Sequence, residues 1–469
     1  MRSHRRKLGY PFVFAAVLAC LVGSADVAAQ VGVPGVNPDV LRLPDANPGG
    51  RLGGLRDRVE RDQRRLQRAV DGALEELAAL PPDVIEVADE TAGNTLRSFT
   101  AATAPDGSTI EKDVLVVLID TAAANRLRVR GLRLIGQAEL PVLGKTLLTL
   151  QSTGDYPLAA MAADLRRLNE SARVDYNHLY DVAARVPVAE PAIEKASTPD
   201  ASDNASANAS ETRLRPLRIG LIDSAVRADH EGLTGMEIVA QDFIAHTGAR
   251  PDAHGTAVAS IIASALNDVG ENSAQLYAAA VFFAADGQAP GATTESLIGA
   301  LAWLAEADVD VINMSLAGPE NELLGSALQA LGGRQLVVAA VGNNGPRGAP
   351  LYPAAYDDVI AVTAVSKKQR IYRYANRGEH VDFAALGVDV QVATPVTLAT
   401  AGWREDSGTS LATPRVAVVV AQLSGRAGLD HDAVVATLQT RATDLGRRGH
   451  DNIYGHGLVR LSPESAVVD

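Results

Sequence analysis

The chain has 469 residues, 47% of them hydrophobic and 21% charged, with a formal net charge of −13. That length holds two or three domains and that apolar share a large core, while the acidic balance excludes a nucleic-acid binder, which needs a basic face. Cys20 is the single cysteine, which excludes an internal disulfide framework and a cysteine-based metal centre.

Residues 1–29 read as an export signal. Arg2, Arg5, Arg6 and Lys7 precede an apolar run over 8–22, and Val27-Ala28-Ala29 matches a small-residue cleavage site. The run is short for a spanning helix, so the expected localisation is secreted or periplasmic. Two other readings stay open: an uncleaved signal anchor, and a lipid anchor at Cys20, because Val17-Leu18-Ala19-Cys20 resembles a bacterial lipobox. Residues 30–112 follow as an irregular leader and an amphipathic helix. Leu55, Val59, Leu66, Val70, Leu74 and Leu77 recur at helical spacing. The first half of that helix is arginine-rich with acids interspersed, which favours packing on its own protein; docking to a partner or membrane is the alternative.

Residues 113–186 alternate strand and helix. The continuous apolar run at 114–119 suits a buried strand, 121–130 a helix, 132–138 and 146–150 strands, 157–168 a helix, and 172–176 a final short strand. That β-α-β-β-α-β order is the ferredoxin-like split βαβ pattern. No residue set in it suggests catalysis, and a generic interaction module is the plain alternative. Residues 187–213 then break all periodicity. Rich in Ala, Ser, Asn, Asp and Pro, they cannot bury enough apolar area to offset chain entropy, so a flexible linker open to proteolytic nicking is expected.

The remainder, 214–469, reads as one domain. A strand over 217–222 ends at Asp223-Ser224-Ala225; an acid at the carboxyl end of a parallel strand is a site candidate, or a turn acid. Asp252-Ala253-His254-Gly255-Thr256 opens an apolar helix. A histidine there is disfavoured as a cation and expected in its neutral, base-competent form; a plain turn histidine is the other reading. Ser407-Gly408-Thr409-Ser410-Leu411-Ala412-Thr413-Pro414 runs into a second apolar helix. Pro414 is tolerated early, where backbone N–H groups lack internal partners. Ser410 sits at the positive end of the helix dipole, as a nucleophile would, or simply in a hydroxyl-rich N-cap. Strand signals at 276–283, 309–318, 335–341, 359–365, 381–385 and 390–393, with helices at 294–305 and 432–441, argue a mostly parallel sheet covered on both faces.

Asp223-Ser224-Ala225, His254-Gly255-Thr256 and Gly408-Thr409-Ser410-Leu411-Ala412-Thr413-Pro414, in the order Asp, His, Ser, resemble the three signature blocks of subtilisin-like serine proteases. The likeness covers residues 217–463. It implies a subtilisin-like α/β fold, a mostly parallel sheet with helices on both faces, preceded by a small ferredoxin-like α+β prodomain. It makes Ser410 the nucleophile, His254 its base and Asp223 the group that orients the imidazole. In Gly342-Asn343-Asn344-Gly345 it makes Asn343 an oxyanion donor. The segment over 309–318 resembles the family's substrate-binding strand, with Ser315, Leu316 and Ala317 pairing to a peptide backbone. Leu351, in Pro350-Leu351-Tyr352-Pro353, aligns with the floor of the specificity pocket. Ala317 stands where relatives carry glycine, so a shallow pocket for small apolar residues is implied, with Ala196, Ala201, Ala205, Ala207 and Ala209 of the linker as matching cleavage points. Residues 113–186 hold the place of an inhibitory propeptide, and Ala172-Arg173-Val174-Asp175-Tyr176-Asn177-His178 resembles its last strand.

Departures from the family pattern are Ala225 and Ala253 for glycine, Ala257 for a second histidine, Ser260 for glycine and Leu411 for methionine, most of them exchanges of similar volume that leave every triad atom available. The expectation is an exported serine endopeptidase that processes its own N-terminal segment. Its partners are polypeptide substrates and its own N-terminal module as intramolecular inhibitor, and it works as a monomer. It needs no cofactor; calcium stays open, because no acidic cluster places it. The competing class is a catalytically silent binding protein on the same scaffold. A lipase is disfavoured, because Ser410 lacks the Gly-x-Ser-x-Gly elbow.

Overall fold

The computed structural model describes residues 96–124, 127, 131–154, 157–182, 215–285, 289–395 and 402–461, all within the compact unit Asp83–Asp469. The export signal, the amphipathic helix and the linker of the sequence reading lie outside these residues.

The front module runs β1 (Ala101–Thr103), β2 (Thr109–Asp120), α1 (Thr121–Ala124), β3 (Leu132–Leu140), β4 (Lys145–Ser152), α2 (Leu158–Leu168) and β5 (Arg173–Val182). Its strands lie antiparallel in the order β3-β4-β2-β5. The unbroken apolar run in β2 has a direct cause. Side chains alternate across a strand, and here both faces are buried: Leu115, Val117 and Ile119 pack with Met161 and Leu165 in the module's own core. Val116 and Leu118 join Leu297, Leu301 and Leu324 of the following domain.

Three boundaries differ from the sequence reading. β2 begins at Thr109 rather than 114, and β1 pairs onto it through Ala101 and Glu111. β5 runs past Tyr176 to Val182 because its second half pairs with the next domain rather than with the module. Of the expected helix over 121–130, α1 accounts for Thr121–Ala124, and only Leu127 of the rest is described.

The second domain runs β6 (Leu217–Asp223), β7 (Glu237–Asp242), α3 (Ala253–Asp268), β8 (Ala274–Ala280), β9 (Phe282–Phe283), β10 (Gly291–Thr293), α4 (Thr294–Glu306), β11 (Val311–Met314) and β12 (Leu316–Ala317). It continues with α5 (Glu322–Leu331), β13 (Leu336–Ala340), β14 (Val359–Val365), β15 (Phe383–Leu386), β16 (Val390–Ala393), β17 (Trp403–Asp406), α6 (Thr409–Gly425) and α7 (His431–Arg441). Seven strands form one sheet, β15-β14-β13-β11-β6-β8-β7, with every neighbouring pair parallel. In β13, Leu336 and Val338 face α3, α6 and α7, while Val337 and Ala339 face α4 and α5. This is the doubly covered parallel sheet that near-continuous apolar strands require.

The expected strand over 309–318 is broken at Ser315: β11 belongs to the parallel sheet, whereas β12 pairs with β5. Likewise 276–283 splits into β8 in the parallel sheet and β9 beside β10. Among the described residues, no helix is long and apolar enough to cross a membrane, and no group of His, Cys, Asp and Glu is placed to hold a metal ion.

Candidate active site

The carboxyl ends of the parallel strands carry the polar groups, as the geometry of open α/β sheets favours. Asp223 closes β6 and is fully buried. Its Oδ1 lies 2.7 Å from His254 Nδ1 and accepts the Ser224 N–H at 2.7 Å. These contacts hold the imidazole with Nε2 free to act.

His254 stands in the first turn of α3, and the fit of that turn depends on its neighbour. A Cβ on Gly255 would come within 2.2 Å of the Ser224 carbonyl oxygen, so only glycine lets the helix start this close to the end of β6. The Gly255 N–H donates to Ser224 Oγ at 2.8 Å, tying the two segments together. Ser224 thus occupies two hydrogen bonds of the site, a role that the sequence reading did not give it.

Ser410 is fully buried in the first turn of α6. The helix N-cap is Gly408, with no side-chain cap of its own. Asn343, just beyond β13, fills that role from outside: its Oδ1 accepts the Thr409 N–H at 3.2 Å and the Thr409 hydroxyl at 3.1 Å. With its oxygen committed in this way, the side-chain amide can only offer N–H groups to anything beside Ser410. Thr409 is therefore the positioning residue for Asn343, found here only from the three-dimensional contacts. On the other flank, Asn313 Nδ2 donates to Ser315 Oγ at 2.9 Å, and Ser315 Oγ donates to the Ser410 carbonyl at 2.8 Å.

Asp223 Oδ2, His254 Nε2 and Ser410 Oγ are buried and make no hydrogen bond within the described structure. Such groups cost about 1–3 kcal/mol each when left unsatisfied, so each calls for an explanation, and a reacting partner is one. Asp223 with His254, and Ser410 through Ser315, stand at the carboxyl ends of the neighbouring strands β6 and β11.

Of the four residues expected to bind substrate, Ser315 flanks Ser410 directly. Leu316 is completely buried beneath the strand and offers only its backbone there. Ala317, Ala340 and Leu351 form a small apolar cluster. Gly342, at φ +94°, leaves room for it: a Cβ there would lie 2.5 Å from Leu351 Cδ1. Leu351 is held in this place by its neighbour, since Gly318 and Tyr352 exchange both backbone hydrogen bonds at 2.9 and 3.0 Å.

A family model described as "Subtilase family" (peptidase S8) matches residues 216–457. The chain belongs to the subtilase family. That membership classes it with serine-type endopeptidases. Subtilisin DY of Bacillus licheniformis is 31% identical over 258 residues, which cover 52% of this chain and 89% of that protein. The halolysin-like extracellular serine protease Nep of Natrialba magadii is 32% identical over 270 residues, 53% of this chain and 47% of Nep. The minor extracellular protease Epr of Bacillus subtilis is 31% identical over 261 residues, and the match spans 53% of this chain but 38% of Epr. Fervidolysin from Fervidobacterium pennivorans, a keratinolytic enzyme related to subtilisin, superimposes with a TM-score of 0.58 at 17% identity. That match covers 82% of this chain and 65% of fervidolysin, and it shows a common fold. In this subtilase, the residues before 216 lie outside the family match, so the front module is a feature the family model does not describe.

Proposed function

We propose that the protein is an exported serine endopeptidase that hydrolyses peptide bonds through Asp223, His254 and Ser410 and removes its own N-terminal segment. The observation that carries this reading is the 2.7 Å contact of His254 with the buried Asp223, beside a buried Ser410 at a helix N-terminus. His254 Nε2 takes the Ser410 proton as Oγ attacks the substrate carbonyl, and later delivers it to the leaving amine. Asp223 stabilises the imidazolium between those steps. The Asn343 amide, turned by Thr409, donates to the oxyanion of the tetrahedral intermediate. Ser315 and Ala317 present the strand along which a peptide backbone pairs. No step requires a metal or other cofactor, and the chain acts as a monomer on polypeptide substrates.

The front module acts in this reading as an intramolecular inhibitor. Its support is the course of β5, which enters the second domain and pairs with β10 on one side and β12 on the other. The module also supplies acceptors to two helix N-termini: Asn177 Oδ1 accepts the Glu295 N–H of α4 at 3.0 Å, and Asp175 Oδ2 the Glu322 N–H of α5 at 2.9 Å. Export rests on the 1–29 segment and on the extracellular relatives Epr and Nep. The test is a fluorophosphonate label on the purified wild-type chain, located by peptide mass. Label confined to Ser410 is expected. A chain that takes no label, with the module removed, is instead a silent binding protein on this scaffold.

A further inference from the structure

Asn343 follows β13 in a stretch, residues 341–350, that belongs to no helix or strand. Gly342 and Gly345 bracket it and its neighbour at φ +94° and +95°, in the left-handed region that glycine tolerates. A stretch of this kind has no ladder of its own, so its backbone N–H and C=O groups need partners elsewhere. Without such partners nothing local would set the two soft dihedrals at Asn343.

The partners come from Asn376, a fully buried residue in the segment between β14 and β15. Its backbone N–H donates to the Gly342 carbonyl at 3.0 Å. Its side-chain Oδ1 accepts the Asn344 N–H at 2.8 Å. The Gly342 carbonyl and the Asn344 N–H belong to the two peptide units that meet at the Asn343 Cα. Asn376 therefore holds the peptide plane on each side of Asn343, which leaves φ and ψ there little range. The other end of the same amide, Nδ2, donates to the Ala349 carbonyl at 2.8 Å and closes the loop two residues before Leu351. An asparagine side chain carries one acceptor oxygen and one donor nitrogen, and here both are committed to this one loop. The Gly345 N–H adds a bond to the Tyr374 carbonyl at 2.7 Å. The fit is close, since a Cβ on Gly348 would come within 2.7 Å of Asn376 Nδ2. The clamp is itself anchored to the parallel sheet, because the Tyr372 N–H donates to the Ala364 carbonyl of β14 at 2.8 Å.

Two separate devices thus act on Asn343. Thr409 holds its side-chain oxygen, and Asn376 holds its backbone. Misplacing a catalytic group by about 1 Å can cost about 100-fold in rate, so both constraints bear on turnover. We propose that Asn376 is a positioning residue for peptide hydrolysis, fixing the Asn343 backbone so that the side-chain amide meets the oxyanion. The proposal rests on the reading of Asn343 as the oxyanion donor. A residue that served only the fold would lower stability without depending on whether Asn343 can donate.

The test is a double-mutant cycle on a fluorogenic peptide amide with acylation limiting. Turnover is expressed per titrated active site, so that the extent of N-terminal processing does not enter. Asn376→Ala should lower kcat roughly 100-fold and leave KM within about twofold. The same change in an Asn343→Ala chain should lower kcat no more than about twofold further, because the donor it positions is gone. Because loss of a buried amide could disturb folding, Asn376→Asp, which keeps an oxygen for the Asn344 N–H, is made in the same two backgrounds. Equal losses of kcat in the two backgrounds overturn the proposal and make Asn376 a residue of the fold alone. So does a raised KM with kcat unaltered, or the failure of both Asn376 variants to fold. An Asn343→Ala chain with undiminished kcat overturns instead the reading beneath, whatever the Asn376 variants do.

Discussion

Two clusters of buried polar side chains in this chain are built in opposite ways. Between the front module and the second domain, Glu111 of β2 is gripped by the Arg97 guanidinium at 2.9 and 3.0 Å and by Asn177 Nδ2 at 2.7 Å. His246 Nε2 lies 3.0 Å from the same carboxylate, and its ring stacks on Phe283 at 4.7 Å. Arg97 also pairs with Glu295 of α4. In the other cluster Asp223, His254 and Ser410 each keep one buried side-chain atom without a hydrogen-bond partner. In the first the unpaired atoms are the two ring nitrogens of His246, and the Glu111 carboxylate is bonded at both oxygens. Low dielectric strengthens a satisfied network and penalises an unsatisfied one. The first cluster therefore holds two parts of the chain together, and the second keeps reactive atoms available at a cost in stability. Both are buried and polar; they differ in the carboxylate, bonded at both oxygens in the clasp and left with a free Oδ2 at Asp223.

Removing a member of each cluster should expose this difference, and the largest effect belongs to the unsatisfied one. Ser410→Ala is expected to lower peptide hydrolysis roughly 10⁶-fold while leaving the melting temperature equal or higher, because a buried unpaired hydroxyl is lost. Calorimetry beside a fluorogenic peptide assay checks both; a clear loss of stability would contradict the contrast. Asn343→Ala follows at about 100–1000-fold in kcat with little change in KM, read under saturating peptide with acylation limiting. An unaltered kcat would move the oxyanion donor elsewhere.

The clasp should respond the other way, in stability. Glu111→Gln, placed in the Ser410→Ala chain so that no processing intervenes, should cost about 2 kcal/mol in denaturant unfolding. Acid should mimic it. Burial alone would push the Glu111 carboxyl up, but the His246 ring and Arg97 outweigh it and hold the pKa at about 2, below the ordinary 4.5. A depressed carboxylate contributes stability that is present above the ordinary value and lost as pH falls from about 4.5 towards 2. The Gln variant should lose that acid slope; an identical slope in both chains would remove Glu111 from the account.

Asp382 provides the smallest and most discriminating case, because one carboxylate oxygen accepts the Ala361 N–H at 2.8 Å. Burial pushes its pKa up to about 6. A carboxyl raised on folding contributes stability that is fully present at low pH and lost as pH rises through about 6. Asp382→Asn should flatten the decline between about pH 4 and 7 without affecting hydrolysis. A steeper decline would mean that His450 and the Ala361 amide already compensate the charge.

What was readable before folding and what was not divides along the range of the interactions. Asp223, His254, Ser410 and Asn343 stand in short blocks whose chemistry needs particular residues at particular offsets, and the fold bonds His254 to Asp223 and Thr409, next to Ser410, to Asn343. The strands of the parallel sheet were readable because each is buried on both faces and therefore apolar at nearly every position. α5 was passed over although Asn321 caps its first turn by accepting the Leu323 and Leu324 N–H groups at 3.0 Å and leucines recur behind it. β7 carried no comparable signal, because five of its six residues are exposed.

By itself, then, the sequence determined the family, the order of the reactive groups and the alternation that builds a doubly covered sheet, since these depend on local composition and on periods of two or 3.6 residues. Only the tertiary structure decided that β5 continues to Val182, that Thr409 turns Asn343, that Ser224 ties the His254 helix to β6, and that Leu351 closes over Gly342. Each of these is a contact between segments remote in the chain. Such contacts are set by the register and packing of the finished fold, and no local pattern of residues encodes them.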